Sequence, residues 1–339
     1  MMEVLVSCLK GIEDVCIKEI RELTKKKAVK VCDGRVKVGC DESSLKKLSE
    51  NLRSGLRVAK LLGEFKLKSI VDMADKASKF SKEFIAPISV RCSRQGNHEF
   101  KSNDIEKAVG EVLHNAGLKV DLENPKTKIL IDIVNDEFFI CILIAENLNK
   151  REYRIRSTGQ SINATICYAL VRLSGWKKEK VIMDPFSRDG TITIEAAAFK
   201  FSLPLKFDKP VSAKDQVIYC FDPLLKNVNN SETNSKLAGV NKAIRFSRYD
   251  IEWLDTRFGK GEVDYIVAVL PNYSGDRQKD AEKQYKDLFY QAEFILAKNG
   301  QMALLSQTDI MGFIGKFKIE SERKVISGDV SYNLLIIKK

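Results

Sequence analysis

The stretch VIMDPFSRDGTITIEAAAF, residues 181–199, decides the fold of the second half of the chain. An apolar run ends at Asp184, a small polar turn passes through Ser187, Arg188, Asp189 and Gly190, and a helix-forming run follows. A strand, a polar turn with glycine and a helix is how open α/β sheets aim backbone amides at an anionic or zwitterionic ligand. An ordinary strand-to-helix connection has the same shape, so the turn alone names no ligand.

Toward the C-terminus the same alternation continues. Strands are expected at 181–183, 217–221, 243–246, 265–269 and 301–306, with a terminal pair near 318–326 and 331–337. Helices fit at 161–175, 191–202, 224–238 and 278–298. This pattern predicts a mostly parallel sheet covered on both faces, with its ligand crevice at the carboxyl ends of the strands. Polar groups recur at those ends. Asp222 closes VIYCF, Asp250 follows the third strand, and Leu270-Pro271-Asn272-Tyr273-Ser274-Gly275 follows the fourth. A carboxylate at the tip of the second strand is where such folds hold a ribose.

Toward the N-terminus, ENLNKREYRIRSTG is polar and basic and reads as a linker. Before it lie strands at 3–8, 28–32, 35–39, 56–62, 88–93, 128–135 and 137–145. Helices are expected at 12–24, 43–52 and 73–84, and another from caps at Ser102-Asn103-Asp104 to about Ala116. This half is α+β in pattern. The expected division is 1–65, 66–146, a linker 147–160, and 161–339.

Composition prunes the chemistry. The 339 residues carry 57 lysines and arginines against 46 aspartates and glutamates, a net +11 that favours polyanionic partners, nucleic acid first. His98 and His114 are the only histidines, which excludes a His-rich metal centre. The eight cysteines form no Cys-x-x-Cys pair, so no zinc knuckle and no other metal site is expected. Most cysteines lie in apolar runs, as reduced core residues of a cytoplasmic protein do. No apolar run reaches membrane-spanning length, and MMEVLVSCLKGIEDV becomes charged too early for a signal peptide.

With these residues in view, a resemblance becomes specific. DPFSRDGTITIEAA is similar to the first motif, D-P-x-x-G-S-G-T and an acid-containing helix, of the S-adenosylmethionine-dependent methyltransferases that act on RNA bases. DPLLKNVNNSETNSKLAGV (222–240), KREYRIR and SINATICYALVRLSGW resemble further segments of the same enzymes. VRCSRQGNHEFKSNDIEKAVGEVL and LKVDLENPKTKILIDI look like a THUMP domain, an RNA-binding module, and LVSCLKGIEDVCIKEI resembles the ferredoxin-like unit that precedes it. The resemblance spans nearly the whole chain, and the tRNA guanine-N2 methyltransferases are the subgroup it indicates.

The resemblance implies a Rossmann-like, seven-stranded, mostly parallel methyltransferase domain behind a ferredoxin-like unit and a THUMP domain. It implies S-adenosylmethionine as cofactor, with Asp222 on its ribose, Asp250 on its adenine, and Asp184, Ser187, Arg188, Asp189 and Gly190 around its methionine end. Tyr273 would stack on the target base, Asn272 would accept its amine, and Pro271 completes that motif. Arg91, Arg94, His98, Lys150, Arg151, Arg154 and Arg156 would contact tRNA or, alternatively, rRNA. Two departures stand out. Arg188 occupies a family glycine position, where it either crowds the cofactor or pairs with its carboxylate. Neither Asn nor Asp opens Val269-Leu270-Pro271-Asn272-Tyr273, as it does in N-P-P-Y or N-L-P-Y. A non-catalytic RNA-binding protein on the same fold is the competing expectation.

Overall fold

A computed structural model of the chain describes residues 2–207, 209–211, 215–273 and 275–339. Ser274 of the expected Pro271–Gly275 turn lies outside the described residues. The chain divides into two compact units. One comprises residues 1–8, 16–49 and 55–148; the other comprises 9–15, 50–54 and 149–339.

The first unit is built on one seven-stranded sheet. Its strands are β1 (Met2–Cys8), β2 (Ala28–Cys32), β3 (Arg35–Cys40), β4 (Gly55–Lys66), β5 (Ile88–Gln95), β6 (Thr127–Val134) and β7 (Glu137–Ala145), in the order β2-β3-β1-β4-β7-β6-β5. Side chains of a strand alternate between faces. Thus Ile129, Ile131 and Ile133 of β6 pack with Met73, Ile105, Val109 and Leu113, while Leu130 joins Leu5, Phe139 and Cys141 in a second cluster. Asp132 points with Leu130. It is fully buried and accepts both Nε and Nη2 of Arg35, the latter at 2.6 Å, with Ser7 Oγ at 3.5 Å.

Two helices of this unit show what local chemistry decides. The helix expected at 73–84 runs instead from Ile70 to Ser78, because Ser69 Oγ accepts the Asp72 amide at 3.1 Å and starts it a turn early. Residues Ser81–Glu83 form a separate short 3₁₀ turn. Another helix, Ser102–Asn115, begins where Asp104 accepts the Lys101 amide at 2.8 Å and stops before Gly117, at φ +90°.

The second unit carries the other sheet. Its strands are β8 (Ile182–Asp184), β9 (Ile218–Asp222), β10 (Ile244–Arg248), β11 (Val263–Val269), β12 (Leu296–Ser306), β13 (Lys318–Ser327) and β14 (Val330–Lys338), ordered β10-β9-β8-β11-β12-β14-β13. Strands β10 to β12 across that order pair in parallel; β14 runs antiparallel to both β12 and β13. This is the expected seven-stranded, mostly parallel α/β sheet. The chain steps outward from β8 to β9 and β10, then crosses back to β11. That reversal leaves a crevice outside the carboxyl ends of β8 and β11. Helices Ala164–Leu173, Thr191–Phe201, Leu225–Leu237 and Gln278–Ile295 lie between the strands in sequence. The first is buried from Ala164 to Arg172, as a helix sandwiched in an α/β core must be.

No helix among the described residues is long and apolar enough to cross a membrane. No group of three or more potential metal ligands occurs among them either.

Candidate active site

Three aspartates mark successive strand ends. Asp184 ends β8, Asp222 ends β9, and Asp250 stands just past β10. Asp184 is 2% exposed, and one of its oxygens accepts the Phe186 amide at 3.0 Å. Burial pushes its carboxyl up to about 7, against the lowering effect of the Phe186 amide and Arg188. Asp250 is exposed and accepts the Glu252 amide at 3.4 Å.

The turn after β8 is held on all sides. The Ser187 amide donates to Phe221 O at 2.9 Å, and its hydroxyl lies 3.3 Å from Ser231 Oγ. Asp189 accepts the Thr191 hydroxyl at 2.7 Å and Arg154 Nε at 2.9 Å. Gly190, at φ +76°, has Ser231 against it: a Cβ there would come within 2.8 Å of the serine Cβ. Only glycine fits.

Arg188 lies between the turn after β8 and the end of β11. Its backbone sits at φ +53°, a left-handed conformation that costs a residue with a Cβ about 1–2 kcal/mol. Its side chain does not reach solvent; the residue is 8% exposed. Nη1 donates to Val269 O at 2.8 Å, and Nε donates to Gln160 Oε1 at 3.3 Å. Gln160 Nε2 in turn donates to Asn272 O at 3.0 Å. The Arg188 amide takes one oxygen of Asp222 at 3.0 Å; Leu224 N and Asn227 Nδ2 take the other, both at 2.9 Å. The carboxylate proposed for a ribose is thus already satisfied by the protein. The cavity remaining among Asp184, Phe186, Arg188, Thr191 and Val269 measures about 10 Å³, room for about one water. A cofactor pocket needs about 300 Å³ or more. In this conformation the space at the 187–190 turn is too small for the methionine end of S-adenosylmethionine.

The motif after β11 also differs from its expected form. Pro271 O accepts the Tyr285 hydroxyl. Asn272 is exposed, its side-chain amide donating to Gln307 at 2.6 Å. Tyr273 is half-buried against the core, with the Arg277 guanidinium 5.4 Å from its ring centre.

The basic segment read as an RNA-contacting linker is anchored within its own unit. Arg151 is buried, its Nε 2.8 Å from Glu195 of the helix Thr191–Phe201. The Tyr153 hydroxyl donates to the same oxygen at 2.8 Å, and Arg53 reaches both Glu195 oxygens at 3.0 and 3.1 Å. The Arg151 guanidinium is thus committed to a buried acid. Arg154, tied to Asp189, retains 19% side-chain exposure. Lys150 and Arg156 are exposed. Lys150, Arg151, Arg154, Ser157, Thr158 and Asn163 are among the residues that line an open cleft of about 640 Å³.

In the other unit, Arg91 is half-exposed, 3.9 Å from Glu106. Arg94 Nη1 donates to His98 O at 3.3 Å and lies over Phe100. The His98 ring stacks on Phe100, with Nε2 2.8 Å from Asn135 O. Among the described residues, Arg94 Nε and His98 Nδ1 have no hydrogen-bond partner.

Sequence reading missed Gln160, Glu195 and Asn234. Asn234 bonds Arg156 N, Arg156 O and Asp189 O at 2.8 to 3.0 Å, pinning the basic segment to the turn after β8. A helix glutamate between Ile194 and Ala196 in ITIEAAAF was the one available signal, since a carboxylate in an apolar face requires a cation.

The raised Asp184 carboxyl gives a testable pH effect. Its folded-state value lies above the unfolded one, so its contribution is complete below about pH 4 and is lost as pH rises through about 7. Asp184→Asn is expected to gain stability relative to wild type in urea titrations as pH goes from about 5 to about 8. Parallel profiles would show that Asp184 is not a buried acid.

The geometry has counterparts in known proteins. A family model of the RMKL-like methyltransferase domain matches residues 151–330; a THUMP model matches 68–143, and an RlmL ferredoxin-like model matches 3–59. The tRNA (guanine(6)-N2)-methyltransferase of Thermus thermophilus is 28% identical over 313 residues, 87% of this chain and 86% of that protein. The protein of the same name from Archaeoglobus fulgidus is 25% identical, over 87% and 81% of the two chains. The crystal structure of TrmN from Thermus thermophilus superimposes with a TM-score of 0.78 at 25% identity, covering 100% of both chains.

Proposed function

We propose, for a chain that belongs to the RMKL-like methyltransferase family, that its substrate is tRNA and that its crevice is built for methylation of a guanine N2 amine. The observation that carries this reading is the placement of Asp184, Asp222 and Asp250 on successive strand ends at the sheet's switch point. The names of the Thermus and Archaeoglobus relatives support the substrate. S-adenosylmethionine is the methyl donor this reading requires, and the 187–190 turn with Asp222 and Asp250 is where it belongs.

Such an amine is a poor nucleophile, because its lone pair is delocalised into the ring. The protein's task is to hold N2 in place against an oxygen acceptor. Asn272 and Tyr273 are the side chains we assign to the base, and a helical target must first be flipped out. A second reading, tRNA binding without turnover, is favoured by one observation: Arg188 Nη1 already occupies Val269 O, an acceptor at the head of that motif.

Residues 66–146 and the exposed Lys150 and Arg156 are assigned to tRNA, with Arg91, Arg94 and His98 on the first unit's share of the contact. Replacing Lys150 and Arg156 by alanine is expected to weaken tRNA binding. The slope of log affinity against log salt should fall by roughly one to two units. Filter binding across a salt series reads both; parallel lines of equal affinity would remove these residues from the interface. Nucleoside analysis of tRNA after incubation with protein and methyl donor separates the readings. New N2-methylguanosine supports the first, bound but unmodified tRNA supports the second, and no tRNA binding defeats both.

A further inference from the structure

We infer that Arg188 is a resident plug: its guanidinium fills the place at the strand ends that a methyl donor and a target amine would share. The inference rests on the reading of the crevice as a cofactor site and concerns what keeps that site shut.

Four observations converge on one side chain. The backbone is left-handed at a residue that carries a Cβ, so the turn keeps a glycine-like shape while adding a long side chain. That side chain turns inward, leaving the residue 8% exposed, although a charged side chain ordinarily seeks water. Its two recorded side-chain donors end on neutral oxygens, Val269 O and Gln160 Oε1. The void left over holds about 10 Å³.

Burial works against the charge and outweighs the attraction of Asp184, Asp222 and Asp189, so the guanidinium holds its proton less tightly than an exposed arginine. Gln160 completes the closure by linking the guanidinium to Asn272 O, so the turn after β8 and the motif after β11 are tied across the crevice. The same geometry speaks against Arg188 as a ready partner for a cofactor carboxylate, because that role needs its fork free.

The test is calorimetric titration of S-adenosylhomocysteine, the demethylated form of the methyl donor, into wild type, Arg188→Gly and Gln160→Ala. Arg188→Gly matches the backbone and empties the crevice; Gln160→Ala loosens the plug while leaving the buried charge in place. Arg188→Gly is expected to bind roughly tenfold or more tighter than wild type, with Gln160→Ala between them. Adding Asp222→Ala to Arg188→Gly should abolish the gain. Should Arg188→Gly not fold, the Gln160→Ala arm carries the comparison. Wild type binding as tightly as the variants would overturn the plug while leaving the cofactor site intact. Absence of binding by every folded variant would overturn the cofactor reading itself, and the plug with it.

Discussion

Replacing Glu195 by alanine is expected to cost about 3–5 kcal/mol of stability, the range for stranding buried charges. Glu195 is fully buried, and three groups converge on it: Arg151, Arg53 and the Tyr153 hydroxyl. Burial by itself would raise its carboxyl, but Arg151 and Arg53 outweigh that and hold it down to about 2. Its folded-state value therefore lies below the unfolded one. The stabilisation is present above about pH 4.5 and is lost as pH falls through about 2. Alanine leaves the two guanidinium groups facing each other and the tyrosine hydroxyl without its acceptor. Urea unfolding near neutral pH measures the loss. A cost under about 1 kcal/mol, as for a surface substitution, would mean that the cluster relaxes into solvent.

Asp132→Ala is expected to have a similar effect in the first unit, about 3–5 kcal/mol. Among the described residues the Arg35 guanidinium would keep its bond to Gly34 O, at 3.0 Å, while its side chain is 6% exposed. The control is the double replacement Arg35→Met with Asp132→Leu. Removing both charges avoids the stranded cation, so most of the loss should be recovered. If the double variant is as unstable as the single one, shape rather than charge governs the site.

These two clusters mark the limit of what residue order reveals. The second sheet was legible because its inner strands are apolar runs bounded by polar turns, from VIYCF to YIVAV. The places of Asp184, Asp222 and Gly190 were legible too, because residue type and position in a strand–turn–helix unit coincide there. The fate of KREYRIR was not. Lys150, Arg151, Arg154 and Arg156 look alike in a basic run, and only the packing of Glu195 and Asp189 decides which of them remains for a partner. Arg188 shows the same limit. The departure from glycine was visible, whereas its direction depends on Val269 O and Gln160, which lie 81 and 28 residues away along the chain. The helix at Ile70–Ser78 was misplaced for a local reason: apolar spacing located it, but the Ser69 cap sets where it begins.

The closure of the crevice by Arg188 is tested most directly by a crystal structure of the wild-type protein grown with excess S-adenosylhomocysteine. The expected result is an Arg188 guanidinium still bonded to Val269 O and no ligand density at the ends of β8 and β9. A bound ligand, with its ribose on Asp222 and Arg188 turned out of the crevice, would contradict it.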